Sequence, residues 1–363
     1  MGSGRLGHVP ALDGVRGLAI AAVLVYHAYD VPGGFLGVDL FFVLSGFLIT
    51  TLLLEEHAER GRISFRGFYR RRARRLLPVA FAGIVCAEIV LLGATLAGPE
   101  AGTQALGGLF AALYVENLAH YLHPPVIAGL GHYWSLSQEE QFYFLWPPIL
   151  ALLLRFRVRS HWLVAGLGAA VAAIIVHRAM LADAGWWRTY YAPDTRSDGI
   201  LLGCLVAVAW RSGLLRPSRS WLLAGPIALA VLGFAVATVD HTAETAALYG
   251  ITVANLAAAV IIASIVMAPR AALSRLLAIA PIRWLGLISY SLYIWGALAG
   301  WLTQTHGSML VAISLTVAFL SYRYVERPFR RRKAPSPARV EADSVPASTP
   351  APVPVIRTGE ATA

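Results

Sequence analysis

The chain is 363 residues long, 57% hydrophobic and only 14% charged, with a mean hydropathy of +0.63. That excludes a soluble domain of this length and reads as an all-α polytopic membrane protein. A formal net charge of +10 points to no nucleic-acid partner, because the arginines cluster between apolar runs, where cytoplasmic loops account for them.

Eleven apolar runs are candidate spans: 15–29, 35–54, 76–97, 105–122, 140–154, 162–182, 199–210, 221–239, 246–268, 284–303 and 308–322. The first has no convincing small-x-small cleavage site after it and reads as a retained span, not a signal peptide. Arginine clusters lie at 60–75, 155–159, 211–219, 270–283 and 323–333. If all are cytoplasmic, an even number of spans must separate each from the next. Three runs lie between the first two clusters, so one should not cross. The run 105–122 carries Glu116, Asn117 and His120 near its end and is expected to be re-entrant or to lie on the outer surface. This leaves about ten spans with both termini inside, in one membrane-embedded domain over 1–333. The short run 199–210 should extend into the polar stretch before it. Residues 334–363 are Pro- and Ala-rich and are expected to form a disordered cytoplasmic tail.

Taken in chain order, the first chemistry-bearing feature is Arg16 and His27 in "GVRGLAIAAVLVYHA". Eleven residues are close to three helical turns, so the two side chains share a face ~16 Å apart. A histidine in an apolar helix is as often a packed one as a functional one. An in-phase arginine favours function, with the imidazole as general base and the guanidinium holding an anion. In "GGFLGVDLFFVLSGFLIT", Asp39 needs a cationic partner. Gly33, Gly34, Gly37 and Gly46 permit close helix approach, and Ser45 is either a packing hydroxyl or a substrate contact. "FYRRRARRLLP" is the densest charge cluster. Positive-inside anchoring accounts for most of it, while Arg72 and Arg75, spaced i, i+3, form a phosphate clamp suited to a nucleotide-bearing donor. In "HYWSLSQEEQFYFLWPP", Ser137 and Glu140 match a capping box, leaving Glu139 free to orient His27 or hold an acceptor hydroxyl. Asp194, Arg196 and Asp198 make either a structural ion pair or an outer substrate contact. Cys86 and Cys204 sit in apolar stretches and indicate neither a disulfide framework nor a metal site.

Together these segments resemble the acyltransferase-3 type of integral-membrane acyltransferases, from about Leu12 to Phe329. The resemblance is carried in order by "LDGVRGLAIAAVLVYH" with its R-x10-H spacing, "GVDLFFVLSGFLIT", "FYRRRARRLLP", "WSLSQEEQFYFLWP", "TRSDGILLGC", "ISYSLYIW" and "YRYVERPFR". It implies a ten-span core that moves an acyl group from cytoplasmic acyl-CoA, acetyl-CoA above all, to a hydroxyl. Arg16 and His27 are then the central pair and Arg72 and Arg75 lie on the donor side. Tyr290 and Glu326, within the last two motifs, join Asp39, Ser45, Arg196 and Asp198 as expected substrate contacts. One position departs: Gly296 stands where the family usually has a histidine, which leaves the role of that helix open. Only a short tail follows the core here, so the membrane domain is expected to finish the reaction alone.

The expected function is therefore membrane O-acylation of a sugar, glycolipid or macrolide-like acceptor at the inner, or plasma, membrane. His27 would act as base, with Glu139 supporting the imidazolium or the acceptor, and the pantetheine arm would thread past Arg16. A flippase or exporter of a lipid or glycan, or a non-catalytic scaffold, remains the alternative.

Overall fold

The computed structural model describes residues 5–95, 101–122, 130–242 and 244–331. The expected tail at 334–363 lies outside them. Every regular element among the described residues is helical. The order is α1 (Pro10–Tyr29), α2 (Gly37–Arg60), α3 (Phe65–Thr95), α4 (Ala101–Ala112), α5 (Glu116–Leu122), α6 (Tyr133–Arg155), α7 (Ser160–Met180) and α8 (Trp186–Tyr191). It continues with α9 (Pro193–Arg196), α10 (Asp198–Arg211), α11 (Trp221–Thr238), α12 (Glu244–Met267), α13 (Ala272–Leu277), α14 (Ala280–Thr303), α15 (Gly307–Ser321) and, after one π-helical turn, α16 (Arg327–Arg331).

Eight helices are long and apolar enough to cross a membrane: α1, α2, α3, α7, α11, α12, α14 and α15. The other two expected spans are α6, interrupted in its polarity by Glu139 and Glu140, and α10 with only 14 residues. Ser197 keeps right-handed helical angles between α9 and α10, so the chain is nearly continuously helical from Pro193 to Arg211. This is the extension into the polar stretch that the sequence called for. The run 105–122 breaks at Leu113–Val115 into α4 and α5, 12 and 7 residues long, each well short of the ~20 residues a span needs. Gln141 of α6 donates to the Tyr114 carbonyl at the break, and His120 of α5 reaches the Gly131 carbonyl, so the pair turns back beside α6.

With the long helices, α6 and α10 included, taken as alternating in direction, the described arginines at 60–75, 155–159, 211–219, 270–283 and 323–331 fall at one end of the bundle, called here the basic end. The three described arginines at the far end are each paired with an aspartate: Arg178 with Asp198 at 2.9 Å, Arg188 with Asp194 at 2.5 Å and Arg196 with Asp39 at 3.0 Å.

In α1, α2, α12 and α14 half or more of the best apolar window is buried, whereas in α3, α7, α11 and α15 a third or less is. The first four are the centre and the others its rim. What brings the centre so close is glycine. A Cβ on Gly17 would lie 2.0 Å from the Ile282 carbonyl and one on Gly286 1.9 Å from that of Asp13, so α1 and α14 touch backbone to backbone. Gly46 and Gly203 do the same for α2 and α10.

Candidate active site

With one face of α1 flush against α14, Arg16 and His27 look into the bundle. They do not share one polar path. Arg16 borders an inner cavity of about 400 Å³, and His27 borders an outer cavity of about 250 Å³ nearer the far end. Val38 and Tyr293 line both cavities and form the wall between them. Tyr293 is fixed there: its hydroxyl donates to the His132 carbonyl at 3.0 Å and shares a 2.5 Å hydrogen bond with Ser135. The sequence suggests a continuous route past Arg16 to His27; in the structure the two residues line separate cavities that meet at Val38 and Tyr293.

The inner cavity is the charged one. Arg5, Arg16, Arg72, Arg75, Glu55 and Glu139 line it, among apolar residues of α2. Ser45 donates to one oxygen of Glu139 at 2.7 Å and Tyr143 to the other at 2.9 Å. The Arg72 guanidinium lies 3.5 Å from the centre of the Tyr143 ring, a cation held over an aromatic face. The arginine ion pairs found among the described residues belong to Arg5, Arg60, Arg71, Arg178, Arg188, Arg196 and Arg211. None involves Arg16 or Arg72, so both present charge to whatever enters. Toward the basic end the cavity adjoins a cleft where Arg5, Arg60 and Arg71 meet Glu55, Glu56 and Glu59. The Arg5 side chain bonds to Glu59 there, and the Leu6 amide donates to Glu55 at 2.6 Å.

The outer cavity is lined by His27, His120, His132 and His241 and by the rings of Tyr26, Phe35, Trp134, Trp186, Tyr190 and Tyr191. His120 stacks on Tyr191 with ring centres 4.1 Å apart, and Trp186 on Tyr190 at 4.3 Å. Gly296 contributes backbone to this cavity, and a Cβ there would meet nothing nearer than 3.8 Å. At the rim, Asp240 accepts from the amide and hydroxyl of Thr242, which hold its carboxyl below the usual range.

Of the expected site residues, the structure thus gathers Arg16, Ser45, Arg72, Arg75, Glu139 and Tyr290 around the inner cavity and leaves His27 in the outer one. Glu139 and His27 therefore line different chambers, and the Glu139 oxygens are engaged by Ser45 and Tyr143. Tyr290 donates to the Leu76 carbonyl at 2.9 Å. Asp39, Arg196, Asp198 and Glu326 line neither cavity. Asp39 and Arg196 are fully buried as an ion pair, with the guanidinium 4.7 Å from the Tyr190 ring centre and 5.6 Å from that of Trp134. They back the aromatic wall from behind. Asp198 is held by Arg178 and Asn255, and Glu326 accepts from Ser291 at 2.9 Å in the π-helical turn.

The capping box is corrected. Helix α6 begins at Tyr133, four residues before Ser137, and the Ser137 hydroxyl instead accepts from the Glu116 amide at 3.2 Å. Preference for an S-x-x-E start overlooked the aromatic residues before it, which are already helical. Residues that sequence reasoning passed over are Tyr143, Ser135, Tyr293 and His132. Tyr143 had a signal, since it stands i+4 from Glu139 on a helix. The others are placed by contacts between α6 and α14 that no local pattern encodes.

A family model described as an acyltransferase domain, of the acyltransferase-3 type, matches residues 9–322. The chain belongs to that family. The match takes in the linings of both cavities except Arg5, Leu6 and Gly7 at the inner mouth. Relatives of this acyltransferase-3 chain include the peptidoglycan O-acetyltransferase OatA of Listeria monocytogenes, 31% identical over 89% of this chain and 56% of the relative. The O-acetyltransferase OatA of Staphylococcus aureus is also 31% identical, over 90% of this chain and 58% of the relative. The chain thus spans a little over half the length of these relatives. No solved structure matches this acyltransferase-3 domain.

Proposed function

We propose that this chain is a membrane O-acyltransferase that moves an acetyl group from cytoplasmic acetyl-CoA to a hydroxyl of a cell-envelope glycan, in the plasma membrane. The observation that carries this reading is the pairing of two unlike cavities across one wall. One offers Arg16 and Arg72, which join no ion pair among the described residues, and the other histidines and aromatic faces. The names of the relatives, O-acetyltransferases of which one acts on peptidoglycan, support a glycan acceptor.

In this reading the basic end faces the cytoplasm. The phosphates of the donor meet Arg72 and Arg75, whose guanidinium groups suit phosphate oxygens. The pantetheine arm lies along the apolar face of α2, and displacement of the Tyr293 ring lets the thioester carbonyl meet the outer cavity. His27 takes the proton from the acceptor hydroxyl as its oxygen attacks that carbonyl, the C–S bond breaks, and the imidazolium returns the proton to the departing thiolate. Glu139, with Ser45 and Tyr143, balances the charge of Arg16 and Arg72 before the donor arrives.

Incubation of membranes with isotopically labelled acetyl-CoA, followed by mass spectrometry of the glycan fraction, tests the reaction. Label on glycan hydroxyls, dependent on His27, is the expected result; a transporter would consume no thioester. Orientation has its own test. In a chain with Cys86 and Cys204 replaced, an impermeant thiol reagent outside the cell should reach Asp183→Cys and Thr242→Cys but not Arg62→Cys, Arg159→Cys or Leu214→Cys. Labelling of Arg159→Cys from outside would refute the arginine parity. For the donor site, Arg72→Ala should raise the KM for acetyl-CoA by about tenfold and change turnover much less, since a phosphate contact holds ground and transition state alike. A fall in turnover at unchanged KM would place the phosphates elsewhere.

A further inference from the structure

The outer cavity holds a second histidine whose circumstances differ from those of His27. His132 stands at the start of α6, its ring against Tyr133 and Tyr293 with centroids 4.8 Å and 5.9 Å away. Nε2 is enclosed and has no hydrogen-bond partner among the described residues. With the ring neutral and its hydrogen on Nδ1, Nε2 is a bare lone pair, able to accept a hydrogen bond but not to donate one. An enclosed nitrogen without a partner is costly, and a ligand hydroxyl relieves that cost.

The second observation is electrostatic. The described residues that line the outer cavity include no aspartate, glutamate, lysine or arginine, in contrast to the six formal charges lining the inner one. A charged ring substituent buried there would find no counter-charge, and burying an unpaired charge is strongly unfavourable. An uncharged ring loses only water, which the faces of Trp134, Trp186 and Tyr190 replace.

We propose that His132 is a second acceptor-binding residue: its Nε2 takes the hydrogen bond of a hydroxyl neighbouring the one that His27 activates, on an uncharged sugar ring. The proposal rests on the reading that the outer cavity takes the acceptor. It makes His132 an orienting contact and leaves proton removal to His27, so the ring must present two adjacent polar groups to be held and acylated.

The test uses the full chain in detergent micelles, with chitotetraose as a neutral probe and a hyaluronan tetrasaccharide, which carries carboxylates, as an anionic one. Binding is followed by quenching of tryptophan fluorescence and transfer with acetyl-CoA. Chitotetraose should bind and hyaluronan should bind at least roughly tenfold more weakly. His132→Ala should raise the KM for chitotetraose by roughly tenfold with the KM for acetyl-CoA unchanged. His132→Gln, whose amide oxygen falls near the place of Nε2, should recover chitotetraose to within about threefold of wild type, because it restores an acceptor without a base. Should the alanine variant not accumulate, His132→Leu carries the same expectation. Equal binding of the two oligosaccharides, an unchanged KM in the alanine or leucine variant, or a glutamine variant as poor as alanine would overturn the assignment. Chitotetraose binding without any acetyl transfer would count against the transfer reading and not against this one.

Discussion

Replacing His27 by alanine should lower acyl transfer by about 10² to 10⁴-fold, the usual worth of a positioned general base, while acetyl-CoA binds as before. The second half of that expectation comes from the division into two cavities: His27 lines the outer one, while Arg72 and Arg75, proposed to meet the donor, line the inner one. Steady-state kinetics on purified chain, with CoA binding measured by calorimetry, reads both. Parallel loss of CoA affinity would mean that the cavities act as one site. Arg16→Lys should be impaired as well, because lysine keeps the charge and loses the planar fork. Moving the arginine to position 17 is no control, since a Cβ on Gly17 would lie 2.0 Å from the Ile282 carbonyl and the variant would fail by steric conflict.

The largest effect on stability is expected at the contact between α2 and α10. At Gly46 a Cβ would stand 1.9 Å from the Ile200 carbonyl, and at Gly203 2.0 Å from that of Val43. Backbone cannot retreat as a side-chain tip can, so Gly46→Leu must force two central helices apart. A cost of about 3 kcal/mol or more follows from overpacking alone, enough to deplete a protein of ordinary stability. Gly296→Ala is the matching control, with nothing nearer than 3.8 Å to its new methyl group; it should not destabilise, and the helix propensity of alanine favours it by up to about 1 kcal/mol. Thermal unfolding in detergent, followed by size-exclusion chromatography, distinguishes them. If Gly46→Leu melts with the wild type, the close approach of α2 and α10 is wrong.

Arg16, His27 and Glu139 were legible in the sequence because an ionisable group inside an apolar helix is costly and stands out against its surroundings, whereas Arg72 was picked from the densest charge cluster by its i, i+3 spacing with Arg75. The helical period then told which of these residues share a face. The positions of Asp39 and Arg196 were not legible, because their pairing joins α2 to α9, and nothing local states which cation will answer a buried acid. The same limit hid the division of the site. Val38 is one valine among many, and Tyr293 differs from Tyr290 only by the turn of α14 it occupies. Ten spans were counted from arginine parity, while eight helices among the described residues are long and apolar enough to cross a membrane; of the other two counted, α6 carries its glutamates within its own length and α10 has only 14 residues of its own.

The thin wall of Val38 and Tyr293 has a bearing on the cell as well as on the reaction. A bundle hollowed from both ends risks becoming a pore, through which protons and small ions would run down the membrane potential at about 2.3 kcal/mol per charge for each 100 mV. Tyr293, latched to Ser135 and to the His132 carbonyl, is a plug one ring thick. In the proposed reaction a plug of that thickness serves both needs, since it stands between the two cavities and leaves little material for a reacting group to displace.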